Sequence, residues 1–178
     1  MNEHDDRAET PSVPRAPEPI EEHQEAGNSR ELILMRACGQ VFAVFADEAD
    51  NVTEGLTATP LPHAPPAVLG VVCVRGRMRT VLDPCGLVGE NFQAAGDERD
   101  SLRRFFVSLR GDEQLALSVE RVERIVEVAD DSIEAPGVST GAVRGVLAQD
   151  DSFVTVLDPA RMFEAAMQGT DRRRQRQK

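Results

Sequence analysis

The chain has 178 residues, a formal net charge of −11 and 4% aromatic residues, with neither Trp nor Tyr. A chain of this length buries a sizeable core as one domain or as two small lobes. Its acidity argues against a nucleic-acid binder, because nucleic-acid affinity depends on many Lys and Arg side chains that release counterions. The sequence has no run of about 18 apolar residues, which excludes a membrane-spanning helix.

Both ends of the chain differ in composition from its middle. Residues 1–29 hold eight acids, two bases and four prolines, and they are predicted to be a disordered acidic tail because they lack apolar surface to bury. Residues 169–178, GTDRRRQRQK, are predicted to be a disordered basic tail, and a solvated tail is favoured over a contact with an acidic partner. The folded unit is therefore predicted to span residues 30–168. Its three cysteines, an odd number without paired spacing, predict reduced thiols in the cytoplasm.

Apolar residues recur mainly at a spacing of two, which predicts a β-protein. The apolar runs 32–37 and 41–46, separated by a turn that contains glycine, are typical of a hairpin whose strands are buried on both faces. In 114–119, large apolar residues alternate with small or polar ones, which predicts a strand with one buried face. Further strands are predicted at 68–75, 77–83, 104–110, 122–128, 142–148 and 153–157.

An internal repeat divides the folded unit. The segment 68–84, VLGVVCVRGRMRTVLDP, aligns without gaps on 143–159, VRGVLAQDDSFVTVLDP, so that Gly70 matches Gly145. The repeat predicts two similar all-β lobes of five short strands each. Such strands suggest small barrels, which leave few exposed edges. The lobes are predicted at about 30–89 and 102–158.

Few residues are candidates for chemistry. Asp83 and Asp158 each precede a proline, and an N-cap followed by Pro at the first helical position explains both better than paired catalytic carboxylates do. Residues 159–168 are accordingly predicted to form a closing helix. The histidines lack metal-ligand spacing, and the carboxylates of 120–134 fit a solvated strand face better than a cation site. The sequence therefore predicts no catalytic, cofactor-binding or metal-ligating residue, and a protein that is not an enzyme.

A particular order of features occupies the stretch between residues 42 and 83. A Pro-rich connection is followed by Gly70, then by Arg75-Gly76, then by a strand that ends in Leu-Asp. This order resembles the first lobe of CheW-like domains, the coupling proteins of bacterial chemosensory arrays. The segments GDEQLALSVERVERIVEV and VRGVLAQDDSFVTVLDP are similar to the second lobe of that family. The resemblance covers about residues 31–167.

The resemblance implies an all-β fold with a short C-terminal helix, in which two five-stranded SH3-like barrels share a core. It also implies a non-catalytic cytoplasmic adaptor without cofactors. In the family, one surface binds the regulatory domain of a CheA-type histidine kinase, and a groove between the lobes takes the tip of a methyl-accepting chemotaxis receptor. Neither nucleic acid nor direct membrane insertion is expected.

The sequence departs from the family pattern at positions that bear on partner binding. Where the family commonly has Asn-Leu-Arg-Gly, this chain has Cys73-Val74-Arg75-Gly76. Where the family often has a Glu that pairs with the Arg, this chain has Asn51, which can accept one hydrogen bond from Arg75 but not a charge-assisted pair. For Arg75, partner contact or groove shaping is favoured over a purely structural role in a turn. The residues predicted to bind a partner are Arg75, Gly76, Asn51, Val52, Cys73 and Val74.

Three functional hypotheses follow. The first is a protein that couples a receptor to the kinase. The second, motivated by Asn51, Cys73 and Thr80 (where the family often has Pro), is a divergent accessory adaptor that binds a receptor or another component without engaging the kinase. The third, a small-molecule-binding or enzymatic β-barrel, is disfavoured because polar residues converge nowhere in the sequence pattern.

Overall fold

The computed structural model describes residues 29–89, 104–137, 141–149 and 152–175, and of these it describes 169–175 by their backbone alone. The predicted acidic tail lies outside the described residues apart from Ser29. Within the described ranges, no helix combines the length and the apolar character that crossing a membrane requires.

The described part of the chain contains ten strands, two α-helices and two short 3-10 helices, at Ala46–Glu48 and Asp130–Ser132. The apolar patterns predict nine of the strands, and β3 escapes them because ADNVTE contains a single large apolar residue. In chain order the elements are β1 (Ser29–Ala37), β2 (Gln40–Phe45), β3 (Ala49–Glu54), β4 (Val68–Val74), β5 (Arg77–Leu82), α1 (Pro84–Leu87), β6 (Phe105–Leu109), β7 (Leu115–Val119), β8 (Arg121–Ala129), β9 (Val143–Gln149), β10 (Ser152–Leu157) and α2 (Pro159–Gln175).

The strands form two five-stranded sheets with equivalent topology. The first sheet has the order β8-β1-β2-β10-β9, and the second has the order β3-β6-β7-β5-β4. The strands correspond pairwise, β1 with β6, β2 with β7 and so on to β5 with β10. Exchanging the members of each pair turns the order of the first sheet into that of the second. The predicted internal repeat of five strands is therefore present in the fold.

The two sheets do not coincide with the predicted lobes at 30–89 and 102–158. The β1–β2 hairpin lies in the first sheet between β8 and β10, and the β6–β7 hairpin lies in the second sheet between β3 and β5. Each repeat thus exchanges its first hairpin with the other repeat. The exchange places these apolar hairpins in central positions, where both of their faces are covered.

Three apolar clusters result from this arrangement. Along β1, Leu32 and Leu34 face the interior of the first sheet, while Ile33 and Met35 face a core that both sheets share. The shared core also contains Met162 of α2, which closes it from one side. The interior of the second sheet is lined by Val72, Val74, Val81, Phe106 and Ala116. The predicted pair of small barrels around a shared core is confirmed.

Two local expectations are corrected by the structure. All five residues of β7 are buried, including Ser118, so the prediction of a half-buried strand at 114–119 is wrong. Ala116 and Ser118 are small, and β7 is central in its sheet, so the face they form is covered as well. The predicted closing helix 159–168 continues as backbone to Gln175, into the segment expected to be a disordered tail.

The matching glycines of the repeat, Gly70 and Gly145, are explained by close approach of backbone. A Cβ on Gly70 would lie 2.1 Å from the carbonyl oxygen of Thr59, and one on Gly145 would lie 2.7 Å from that of Glu134. Thr59 and Glu134 each form an isolated bridge to the edge strand that contains the glycine. Each glycine thus allows a neighbouring segment to cover an edge strand.

The cysteines also differ from expectation. Cys38 and Cys85, whose Cα atoms are 6.7 Å apart, form a disulfide, while Cys73 is free and exposed. The prediction of reduced thiols is therefore wrong for this pair. The two residues are separated by 47 positions in sequence, and only the tertiary fold brings the β1–β2 turn beside α1.

Candidate partner-binding site

The turn between β4 and β5 presents Arg75 to solvent. Arg75 and Gly76, the two central residues of this turn, have φ angles of 51° and 78°. A two-residue type I′ turn requires positive φ at both positions, because its twist then matches that of the flanking strands. Gly76 adopts this conformation freely, whereas a residue with a Cβ does so at a cost of about 1–2 kcal/mol. The arginine is therefore held on a short, well-defined turn.

Strand β3 reaches the same end of the second sheet. Its pairing with β6 changes register between Ala49 and Asn51, which makes Asp50 the extra residue of a bulge. The side chain of Asp50 is exposed and that of Asn51 is half-buried. Strands β3 and β4 stand at opposite ends of the sheet order, but the curvature of the sheet brings this bulge beside the β4–β5 turn.

A buried arginine connects the bulge to the rest of the sheet. Arg79 on β5 is 4% exposed, and its Nη2 donates a hydrogen bond of 2.8 Å to Oδ2 of Asp50. Its Nη1 donates to the carbonyl oxygens of Leu109, at 2.8 Å, and Leu115, at 3.4 Å. A buried guanidinium is tolerated only with such partners. Arg79 thus fixes the bulge against β5, β6 and β7.

A cleft of about 310 Å³ opens between the bulge and the turn. Its lining contains three arginines and one carboxylate, so it is positively charged although the whole chain is acidic. Arg75 and Arg77 are exposed, and neither forms an ion pair with any residue that the structure describes. We refer to this feature as the Arg75 cleft, which is lined by Asp50, Asn51, Val74, Arg75, Arg77 and Arg79.

Comparison with known proteins places the chain in a family. The model of the CheW-like domain matches residues 23–167. The chain belongs to the CheW-like domain family. It is 30% identical over 139 residues to the chemotaxis protein CheW of Rhizobium meliloti, which covers 75% of this chain and 87% of that protein. Chemotaxis protein CheW of Thermotoga maritima is 23% identical over 137 residues, with 75% of this chain and 87% of that protein covered.

A solved structure supports the same fold. The crystal structure of the scaffolding protein TtCheW from Thermoanaerobacter tengcongensis matches with a TM-score of 0.61 at 18% identity, over 72% of this chain and 88% of that chain. CheW-family proteins are non-catalytic scaffold proteins of chemotaxis. The prediction that this chain is not an enzyme is therefore confirmed by its family.

The CheW-like domain brings three of the six residues predicted to bind a partner into one cleft. Asn51, Val74 and Arg75 line it together. The β strands that carry Asn51 and Val74 are far apart in sheet order, so the sequence pattern alone does not show their proximity. Gly76 completes the turn beside them and is exposed.

The other two predicted residues do not line the cleft. Val52 is 44% exposed and follows Asn51 on β3, so its side chain points to the outer face of the sheet. Cys73 is exposed on the outer face of β4, where it pairs across the hairpin with Met78. Their role in partner binding stays a prediction that is separate from the Arg75 cleft.

The hydrogen bond that Asn51 can offer Arg75 is not formed. Oδ1 of Asn51 accepts instead from the hydroxyl of Thr53 at 3.2 Å. The acid–arginine pair in this part of the CheW-like domain is Asp50 with Arg79. Among the residues that the structure describes, Arg75 therefore has no carboxylate partner, while the neighbouring bulge supplies one for a different arginine, Arg79.

Asp50, Arg77 and Arg79 belong to the cleft but were not among the residues predicted from sequence. A signal for Arg79 does exist, because it alternates on β5 with the buried Val81 and so occupies an inward-facing position. An inward-facing Arg requires a carboxylate nearby. Asp50 carries no comparable signal, since its position depends on the bulge.

A second charged group stabilises the first sheet. Arg144 on β9 donates to Glu48 at 2.6 Å and to Asp158 at 3.1 Å. Burial lowers the pKa of Arg144, but its hydrogen bonds and attraction to Glu48 and Asp158 outweigh burial and raise the pKa above its ordinary value. Glu48 lies at the end of the turn between β2, in the first sheet, and β3, in the second, and Asp158 caps α2. Arg144 therefore links the segment that connects the two sheets to the N-terminus of the closing helix.

The predicted helix caps are confirmed. Oδ1 of Asp83 accepts from the backbone N–H of Cys85 at 3.1 Å, and Oδ1 of Asp158 accepts from that of Ala160 at 3.2 Å. Asp83 also lies near the sulfurs of Cys38 and Cys85, which makes these three the one group of potential metal ligands among the described residues. Because the two sulfurs are bonded to each other, this structure offers a disulfide there rather than a metal site.

Proposed function

We propose that this CheW-like domain couples methyl-accepting chemotaxis receptors to a CheA-type histidine kinase in the cytoplasm. Its partners in this proposal are the regulatory domain of the kinase and the tip of the receptor. The proposal includes neither nucleic acid nor direct insertion into a membrane. It further assigns the Arg75 cleft to the contact with a partner that presents acidic side chains.

The pair of arginines at the mouth of the cleft carries this proposal. Arg75 and Arg77 are exposed, and within the described ranges no carboxylate pairs with them, although the chain carries a net charge of −11. A local positive site on an acidic protein attracts an acidic surface in one orientation only, because the remaining surface repels it. This property suits a scaffold that holds partners in a fixed geometry.

The conformation of Arg75 supports the same conclusion. Its φ of 51° lies in the left-handed region, where Gly or Asn costs less than Arg. A structural role in the turn would be served better by those residues. Backbone strain that persists at an exposed, charged residue points to a role for its side chain.

The alternative function is an accessory adaptor that binds a receptor or another component without engaging the kinase. Asn51 is the specific observation in its favour, because it replaces the acidic partner that the family often has and instead accepts from Thr53. The two functions differ in one measurable property, which is binding to the regulatory domain of the kinase.

The test is calorimetric titration of the full chain with the regulatory domain of its kinase. We expect micromolar binding, and we expect Arg75→Asn to weaken it by about 5- to 30-fold while the melting temperature changes by less than about 2 °C. Asn retains the left-handed turn, so a change in affinity reports the lost guanidinium. Arg161→Gln on the exposed face of α2 is the matched control, because it removes the same charge away from the cleft.

Each outcome decides between the hypotheses. If Arg75→Asn and Arg161→Gln weakened the affinity equally, the loss would be a general effect of net charge, and the assignment of the Arg75 cleft as the contact site would be overturned. No binding by a folded chain that still binds the receptor tip would establish the accessory adaptor. A large fall in melting temperature with unchanged affinity would make Arg75 a structural residue.

A further inference from the structure

The disulfide between Cys38 and Cys85 crosslinks the two sheets at a place where no connecting segment of the chain runs between them. Cys38 lies in the β1–β2 turn of the first sheet, and Cys85 lies in α1, directly after β5 of the second sheet. The pair spans 47 positions of sequence. The bond therefore fastens an exchanged hairpin of one sheet to the helix that follows a strand of the other.

Each cysteine is held in place by a contact that does not involve sulfur. The backbone N–H of Cys38 donates to Oε1 of Glu120 at 2.7 Å. The backbone N–H of Cys85 donates to Oδ1 of Asp83 at 3.1 Å. Cutting the disulfide breaks neither hydrogen bond, so the two thiols of the reduced protein stay close enough to form the bond again.

The two cysteine residues differ in their exposure to solvent. Cys38 is half-buried, whereas Cys85 is 2% exposed. A reagent in solution therefore reacts first at Cys38. The adjacent Cys85 thiol then displaces the reagent, because thiol–disulfide exchange passes through a mixed disulfide that a neighbouring thiol resolves. This order favours the bond within the chain over a lasting adduct.

We propose that Cys38 and Cys85 form a reversible thiol–disulfide clamp between the two sheets, closed by a low-molecular-weight disulfide such as oxidised glutathione. In the closing reaction the two protein thiols form one S–S bond. The S–S bond of oxidised glutathione accepts their two electrons and two protons and leaves as two glutathione thiols. A dithiol such as dithiothreitol reverses the reaction and opens the clamp.

Closing the clamp changes the thermal stability of the two-sheet fold. A crosslink over a segment of this length restricts the unfolded chain, so closure raises the melting temperature, by roughly 5–15 °C for a chain of this size. The strands and the shared core persist in the open state, because the ladders and the two carboxylate hydrogen bonds do not depend on sulfur. Redox conditions thus change the stability of a scaffold without changing its fold.

The test uses the full-length Cys73→Ser chain, which retains the two clamp cysteines and no other thiol. With alkylation carried out in denaturant, we expect both to be alkylated after dithiothreitol treatment and neither after equilibration with oxidised glutathione, with a mass that shows no glutathione adduct. We expect the reduced chain to melt roughly 5–15 °C lower with an unchanged far-ultraviolet circular dichroism spectrum. Adding oxidised glutathione should restore the higher melting temperature.

The matched control is Cys73→Ser combined with Cys85→Ala, whose melting temperature should not respond to redox conditions. Three results would overturn the proposal: stable glutathione adducts in place of the internal bond, equal melting temperatures for both redox states of Cys73→Ser, or loss of the folded spectrum on reduction. Stoichiometric zinc binding by the reduced chain that blocks reoxidation would also overturn it, since Cys38, Asp83 and Cys85 would then be a metal site. Reduction of the Cys73→Ser chain keeps the test decisive even where the Cys85 variant fails to fold.

Discussion

Removing the carboxylate of Asp50 should destabilise the CheW-like domain more than its exposed position suggests. The partner, Arg79, is 4% exposed, while the side chain of Asp50 is 42% exposed. Breaking a fully buried pair costs about 3–5 kcal/mol, and solvent around Asp50 screens part of this. A charged hydrogen bond contributes about 1.5–3 kcal/mol, so we expect Asp50→Ala to lower the free energy of unfolding by about that amount. For a chain of this length the melting temperature should fall by roughly 3–12 °C.

The measurement is urea unfolding of the variants at one pH and ionic strength. Asp47→Ala is the matched control, because Asp47 pairs with Arg30 at 3.0 Å but is 70% exposed, and its loss should cost less than about 1 kcal/mol. Replacing both members of the cleft pair, with Asp50→Ala and Arg79→Met, should recover part of the loss, since no charge is then left buried. Equal, small effects of the two single aspartate variants would refute this account of the cleft.

Two further outcomes follow from local geometry. Gly70→Ala should destabilise the fold by about 3 kcal/mol or more, because its Cβ would lie 2.1 Å from a backbone carbonyl oxygen. The control is Gly39→Ala, whose Cβ meets no atom within 4 Å and which should cost only about 1–2 kcal/mol in thermal melts. Similar losses of stability in the two variants would contradict the close approach at Gly70. Glu123 should stabilise the fold above about pH 4.5 and lose that effect as the pH falls, by less than about 1 kcal/mol. Burial raises the pKa of Glu123, but hydrogen bonds from Arg36 and Arg121 outweigh it and lower the pKa below its ordinary value of 4.5. Unfolding free energies between pH 3 and 6 should therefore vary less in Glu123→Gln, and an unchanged pH profile would contradict this.

Local features of the fold were accessible from the sequence because they depend on neighbouring residues. The apolar runs of β1 and β2 predict strands buried on both faces, and Asp-Pro at residues 83–84 and 158–159 predicts two helix starts; the structure confirms both. The repeat at an offset of 75 residues predicts two equivalent sets of strands.

Features that depend on tertiary placement were not accessible in this way. The exchange of hairpins between repeats leaves no local signal, because each hairpin has the same turn and the same apolar pattern in either sheet. The Cys38–Cys85 bond depends on that exchange, which brings the turn of one sheet to the helix of the other. Asp50 lines the cleft because it is the extra residue of a β-bulge. A bulge of one residue cannot be predicted from the alternation of apolar and polar residues along a strand.

The measurement that tests the coupling role most directly is co-sedimentation of the kinase with receptor-containing vesicles, in the presence and absence of the full chain. If the chain couples receptor to kinase, the kinase sediments with the vesicles only when the chain is added, and Arg75→Asn reduces the amount while Arg161→Gln does not. Sedimentation of the chain with the receptors while the kinase stays in the supernatant would contradict the coupling role and identify the chain as an accessory adaptor.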